Sequence, residues 1–382
     1  MNPVFASLPV SIFEVMSREA AARGAVNLGQ GFPEEDGFPD VRQAAARALM
    51  EQSNQYAPMR GLPSLRRAVA GFYARTQGVM LDPDREVLIT SGATEAICAA
   101  LLAMISPGDE VVVFEPMYDA YIPLIERAGG IPKIVKLSPP DWRFGEDDLA
   151  AVFSNRTRAV MITTPNNPTT HCLTRDELTL LERFCERHDA VAISDEVWEQ
   201  VVFERPHLGV LHLPGLAGRS IKIGSAGKIF SLTGWKIGFV CAASHLIEHV
   251  ARAHQFITFA TPPALQHAVA FGLDLPQARF DAALNELRGQ RDYLAAAVTA
   301  AGYRVLPSEG SYFFNIDLKA SGIAASGLDF AQALVRDHGL ATIPLQAFCA
   351  TGRDLPVIRL CFAKSEATLA RGAAALRAAR KP

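Results

Sequence analysis

The sequence predicts an α/β protein in which a mainly parallel sheet of seven strands is flanked by helices and followed by a smaller α+β unit. Three observations predict it. Between residues 87 and 241, seven short, apolar, β-rich runs alternate with longer amphipathic stretches, the pattern of repeated βα units. Beyond Pro276 that alternation stops. Of the residues best suited to chemistry, Asp195 directly follows one run and Lys228 closes a short turn after another, where α/β sheets place their ligands.

The seven runs are residues 87–90, 110–114, 131–137, 159–163, 190–194, 220–223 and 237–241. A continuous apolar run bounded by turn residues is how a strand buried on both faces reads. Residues 277–301 then carry long helical periodicity, residues 303–318, 341–344 and 357–362 look like strands, and 366–379 forms a final helix. The expected division is a large unit, 36–276, and a small unit made of an N-terminal arm, 1–35, with 277–382. The small, polar stretch 320–327 reads as a mobile loop.

A chain of 382 residues, 49% hydrophobic, can bury a large core, and domain sizes favour two compact units. The net charge of −3, from 37 basic and 40 acidic residues without a basic cluster, argues against a nucleic-acid partner. The six cysteines are scattered, with no C-x-x-C pair and no His–Cys grouping at ligand spacing. No metal is therefore expected, and free thiols in a reducing compartment are. The first 16 residues lack a basic leader and a small-residue cleavage site, and no apolar run approaches the roughly 20 residues needed to cross a bilayer. A soluble, cytoplasmic protein with no membrane partner is the expectation.

Lys228 ends a small-residue turn, Gly224-Ser225-Ala226-Gly227, after an apolar run; small residues there let backbone approach a ligand closely. A phosphate loop of the G-x-x-x-x-G-K-[ST] type is excluded, because Lys222 stands where its first glycine belongs and Ile229 replaces its Ser/Thr. A Schiff-base lysine and an ordinary solvated lysine remain open. Asp195, at the end of a predicted buried strand, suits a carboxylate that keeps a pyridine nitrogen protonated, and it equally suits a helix N-cap. The segment SGATE, 91–95, places small residues where a helix begins, which fits a phosphate dianion but also a plain βα turn. Arg359 lies inside an apolar strand, where an arginine is rarely buried alone. Its partner is either a ligand carboxylate, which its planar fork suits, or a neighbouring acid.

With these residues in view, the chain resembles a fold-type I, class I/II aminotransferase dependent on pyridoxal 5'-phosphate, of the branch holding kynurenine and bacterial methionine or aromatic aminotransferases. The resemblance runs nearly end to end through NLGQGFP at 27–33, NQY at 54–56, EPMYD at 115–119, TPNNP at 164–168, SDEV at 194–197, GSAGK at 224–228, TGWK at 233–236 and IRLCFAK at 358–364. It implies that Lys228 carries the coenzyme as an aldimine and then shuttles the proton at the substrate Cα, while Asp195 holds the ring nitrogen and Asn167 donates to the ring's phenolic oxygen. It further implies that backbone groups of Ala93 and Thr94, the Ser225 hydroxyl, the Lys236 ammonium and Tyr56 of a second subunit hold the phosphate. Tyr118 would lie on the ring, and Arg359 with the backbone at Gly31 would grip the substrate α-carboxylate. Read singly, Asn167 is also a turn residue, Lys236 a solvent-facing lysine and Tyr118 a core aromatic. Relatives place the site at a dimer interface, so a homodimer with shared sites is expected.

Two departures stand out. Trp198 replaces a tyrosine that many members use to donate to the phenolic oxygen, and an indole N–H can donate but cannot accept or ionise. Thr170 stands where relatives usually carry glycine, which puts the turn after Asn167-Pro168 in question. By the resemblance, Phe13, Tyr56, Phe259 and Phe348 line the side-chain pocket, and no basic residue occurs in the partner-facing segment 256–261. Such a wall favours methionine or aromatic amino acids as donors to a 2-oxo acid, since about 25 cal/mol is gained per Å² of apolar surface buried. β-Elimination on cysteine conjugates starts from the same carbanion and stays open; ammonia release would distinguish it. A non-catalytic effector-binding protein on the same scaffold is disfavoured by the presence of both Lys228 and Asp195. A nicotinamide dehydrogenase is disfavoured because no G-x-G-x-x-G follows a predicted strand.

Overall fold

A computed structural model describes residues 2–6, 8 and 10–380. Its centre is a seven-stranded sheet in the order Val87–Thr90, Gly238–Ala242, Ser220–Ser225, Val191–Asp195, Thr157–Thr163, Glu110–Glu115, Ile131–Lys136. All neighbours are parallel except that Gly238–Ala242 runs antiparallel to both strands beside it. The seven runs read from the sequence are these strands, with ends shifted by one or two residues. The interior strands Gly238–Ala242, Ser220–Ser225 and Glu110–Glu115 are buried along their whole length. Helices cover both faces: Ala93–Met104 packs with Ser244–Ile257 on one, against Leu88, Ile193 and Ile221. On the other, Pro39–Glu51 and Pro63–Gln77 pack with Pro263–Leu273, and Arg175–His188 covers the Thr157–Thr163 side.

A smaller antiparallel sheet orders Ile343–Pro344, Val357–Cys361, Phe313–Asp317 and Arg304–Val305. The helices Gln277–Ala300, Gly327–His338 and Glu366–Ala379 pack around it. The single strand expected over 303–318 is two, because Pro307, Gly310 and Ser311, with Ser311 at φ 64°, turn the chain between them. The run 341–344 also divides. Leu340–Ala341 pairs in parallel with Val26–Asn27 of the N-terminal arm, while Ile343–Pro344 joins the four-stranded sheet. Part of the expected mobile loop is ordered, since the Ser326 hydroxyl accepts from the Asp329 N–H and caps the helix that begins at Gly327. All six cysteines are free thiols, and among the described residues no helix is long and apolar enough to cross a membrane.

Candidate active site

A cavity of about 440 Å³ opens at the carboxyl ends of the central strands, between the two sheets. The strand Val191–Asp195 delivers Asp195 to it as its last residue, and Ser220–Ser225 runs straight into the short helix Ala226–Ile229 that carries Lys228. No helix starts at Asp195, so the N-cap alternative falls. The carboxylate instead accepts from the Tyr121 hydroxyl at 2.6 Å and from the Val197 N–H at 3.4 Å. Burial raises its pKa, with the Tyr121 hydrogen bond opposing. This is a buried carboxyl suited to a cationic partner. The solvated-lysine alternative falls as well: burial pushes Lys228 down to about 8, so a neutral amine is accessible near neutral pH.

Across the cavity from these, the helix Ala93–Met104 presents its N-terminus, with Gly92 before it at φ 78°. The start of the strand Gly238–Ala242 presses on this turn, since a Cβ on Gly238 would lie 2.6 Å from the Gly92 carbonyl carbon. Lys236, itself left-handed at φ 53°, lies across Gly92, where an added Cβ would come within 3.2 Å of its Cε. Ala93, Thr94, Ser225 and Lys236 thus meet in one corner lined by N–H groups, a hydroxyl and an ammonium, a donor set for a phosphate dianion.

Arg359 is buried in the strand Val357–Cys361. It donates to Asn167 Oδ1 at 2.5 Å and to the Gly29 carbonyl at 3.0 Å, while its buried Nε has no partner. Its guanidinium stacks 3.9 Å from the Phe313 ring centre and 4.8 Å from that of Phe348, and burial lowers its pKa to about 10. Among the described residues no acid pairs with it directly, so a structural ion pair does not account for it. A fork held by neutral acceptors and left with an orphaned donor suits an incoming carboxylate.

Ala93, Thr94, Tyr118, Asn167, Asp195, Trp198, Ser225, Lys228, Lys236, Gly31, Arg359 and Phe13 all line this cavity. Phe348, Tyr56 and Phe259 do not. Phe348 is buried behind it, edge-on to Phe13 with ring centres 5.4 Å apart, and so supports the wall. Tyr56, 87% exposed, pairs with Phe259 on the outer surface. At the turn questioned, Thr170 adopts φ 70°, with its N–H on the Asn166 carbonyl and its hydroxyl on the Pro307 carbonyl. Tyr121, Tyr312, Gln30 and Asp119 were not anticipated. Tyr121 had a signal, lying one helical turn beyond Tyr118; Tyr312 read only as strand. Glu196, Glu199 and His207 bring ligand atoms within 4.8 Å of one another, a grouping the cysteine and histidine spacing did not disclose. The Lys222 ammonium sits among them, paired to Glu196 and 2.7 Å from Glu199, so the chain's own cation holds that position.

Residues 23–376 match the family model described as aminotransferase class I and II. The chain belongs to that family of pyridoxal-phosphate-dependent enzymes. This aminotransferase is 43% identical over 342 residues to the probable N-succinyldiaminopimelate aminotransferase DapC of Mycobacterium tuberculosis, covering 89% of this chain and 86% of the relative. It is 33% identical over 393 residues to kynurenine–oxoglutarate transaminase 3 of Rattus norvegicus, covering 95% and 86%. The crystal structure of YbdL from Escherichia coli, described as a methionine aminotransferase, superposes with a TM-score of 0.96 at 37% identity over 99% of both chains. The aminotransferase fold and family follow directly.

Proposed function

We propose that this aminotransferase carries pyridoxal 5'-phosphate on Lys228 and moves the α-amino group of an apolar amino acid, of methionine or aromatic type, to a 2-oxo acid. The observation that carries the substrate reading is the cavity's charge. Among the described residues its lining holds three cations, Lys228, Lys236 and Arg359. Each has a use: Lys228 for the coenzyme, Lys236 for its phosphate, Arg359 for the α-carboxylate. None is left for a distal carboxylate, and Asp119, exposed at the cavity's edge, adds the wrong sign for one. The remaining wall of Phe13, Phe32, Phe313 and Ile97 offers apolar surface.

When bound, the coenzyme supplies an aldehyde for amine exchange and a cationic ring that spreads charge developing at Cα. In this reading Asp195, aligned by Tyr121, keeps the ring nitrogen protonated, and Asn167 and Trp198 face the phenolic oxygen. Tyr118 covers the ring, while Ala93, Thr94, Ser225 and Lys236 bind the phosphate. Arg359 and Gly31 orient the substrate, and Lys228, its pKa lowered by burial to about 8 so that a neutral fraction is present near neutral pH, takes the Cα proton and returns it. We also take residues 36–276 as the coenzyme-binding unit and 1–35 with 277–382 as the small one, supported by the pairing of Val26–Asn27 with Leu340–Ala341. A homodimer with shared sites accounts for the exposed pair Tyr56 and Phe259, Tyr56 then serving the neighbour's phosphate.

Borohydride treatment of protein supplied with pyridoxal phosphate, followed by peptide mapping, should place the label on Lys228, and Lys228→Ala should abolish amino transfer. An amino-acid screen following the coenzyme's absorbance should show methionine, phenylalanine or kynurenine reacting well ahead of glutamate and aspartate. Preference for dicarboxylates would refute the substrate reading, and ammonia release without keto-acid dependence would favour the lyase.

A further inference from the structure

Lys228 is held from behind by a residue that does not itself line the cavity. Its Nζ donates to the Tyr312 hydroxyl at 3.1 Å and to the Gly31 carbonyl at 3.4 Å. The Tyr312 hydroxyl donates its own hydrogen to the same Gly31 carbonyl at 2.7 Å. Tyr312 is buried, with its ring centre 4.1 Å from that of Trp198, edge to face, and the Lys228 Nζ lies 4.5 Å from the Trp198 ring centre. A phenol has one hydrogen to give, and here it is committed to a carbonyl; toward the lysine its oxygen can only accept. Burial raises the Tyr312 pKa well above the usual tyrosine value, so the hydroxyl stays protonated and that commitment holds across the working pH range.

A neutral amine on a tetrahedral nitrogen has two hydrogens and one lone pair. Two acceptors, the Tyr312 oxygen and the Gly31 carbonyl, are in place for the two hydrogens, and the Trp198 face closes another side. The direction left for the lone pair is the cavity. We propose that Tyr312 is a positioning residue, which with the Gly31 carbonyl orients the amine of Lys228 so that its lone pair faces the reacting carbon. This rests on the reading of Lys228 as the coenzyme lysine. Condensation of a neutral primary amine with an aldehyde replaces the C=O bond by a C=N bond, breaks both N–H bonds and releases one water, made from the carbonyl oxygen and the two amine hydrogens. The two acceptors therefore hold the hydrogens that leave. Orientation of this kind governs rate far more than affinity.

The test is Tyr312→Phe, which keeps the ring packed on Trp198 and removes only the hydroxyl. Full-length protein stripped of coenzyme is mixed with pyridoxal phosphate, and covalent capture is followed by absorbance against pH, with borohydride mapping at the end point. Above the midpoint, where the amine is neutral in both proteins, capture should slow by about tenfold, corresponding to roughly 1.4 kcal/mol of barrier. The midpoint itself should move to lower pH, because the ammonium loses an acceptor. That midpoint is independent of how much protein folds, so a partly unstable variant still reports. Capture at the parent rate and midpoint with the label on Lys228 would overturn the role, and so would slower capture at an unchanged midpoint, which marks Tyr312 as packing alone. A label on another side chain is a different failure: it overturns the coenzyme assignment beneath.

Discussion

Thr170 carries a β-branched side chain at φ 70°, a region such residues rarely enter. Conformations of this kind cost on the order of 1–3 kcal/mol and persist only where surrounding bonds enforce them. Here the enforcement is visible: the Thr170 N–H donates to the Asn166 carbonyl at 2.9 Å, its hydroxyl to the Pro307 carbonyl at 3.0 Å, and its own carbonyl accepts from Gly310. The turn so fixed holds Asn167, three residues earlier, against Arg359. Thr170→Val keeps the strained backbone and deletes only the hydroxyl, so it should lower the unfolding free energy by about 1 kcal/mol. Thr170→Gly loses the same bond but relieves the strain, and should stay within about 1 kcal/mol of the parent. Urea melts decide between them. If glycine costs as much as valine, the left-handed backbone at Thr170 stores nothing.

At the scale of an element, the strand Ser220–Ser225 has two unlike buried faces. Ile221 and Ile223 enter the apolar core beside Leu88 and Ile193, whereas Lys222 points the other way, to Glu196, Glu199 and the ring of Tyr73. The lysine is 1% exposed and the two glutamates 0% and 3%. Burial opposes ionisation of Glu196 and Lys222, and attraction overrides it: Glu196 is held below the usual carboxylate range, with His207 adding to the effect of Lys222, and Lys222 is raised by the two carboxylates. Breaking such a set by removing one partner costs about 3–5 kcal/mol. Lys222→Met should therefore destabilise by that order at pH 7. In the parent, a depressed carboxylate contributes stability that is present above its ordinary pKa and lost as pH falls through the depressed value. In the variant Glu196 loses that cation and its pKa rises, so part of the deficit should be recovered between pH 7 and 5, as denaturant titrations at the two pH values would show. A deficit that is the same at both would mean that the carboxylates never lacked a counter-charge. Lys222 also marks the limit of what the chain discloses in one dimension. The strands were legible because doubly buried strands are uninterrupted apolar runs, and Asp195 and Lys228 were legible because strand ends are where ligands sit. Lys222 and Tyr312 act through partners far along the chain, Glu196 and Gly31, so no local spacing announces them. The turn inside 303–318 was hidden for a related reason: the β-rich residues around it outweigh Pro307 and Gly310 unless the register against Val357–Cys361 is known.

At the scale of the whole molecule, the turn that carries Asn167 is fastened to the small sheet through His171. Its ring lies 3.0 Å from Glu177, in the first turn of the helix Arg175–His188, and 3.5 Å from Glu309, on the loop between Arg304–Val305 and Phe313–Asp317. Arg205 lies 3.4 Å from the same Glu309, and Asp141 and Arg143 share the small cavity beside the ring. Burial alone would lower the histidine's pKa, but hydrogen bonds and charge from the two glutamates outweigh it and raise the value to about 9. The folded protein thus holds this proton more tightly than the unfolded chain, whose histidines titrate near 6.5. The resulting stabilisation, on the order of 3 kcal/mol, is complete below pH 6.5 and is lost as pH rises through 9. Relative to His171→Gln, which joins the same elements without a titrating charge, the unfolding free energy of the parent should accordingly fall across that window, the contribution of Lys228 being common to both. Since the joint also positions Asn167 against Arg359, binding of the substrate carboxylate should weaken over the same interval in the parent alone. Equal slopes in the two proteins would show that the alkaline loss arises elsewhere and that His171 does not fasten the two sheets through its charge.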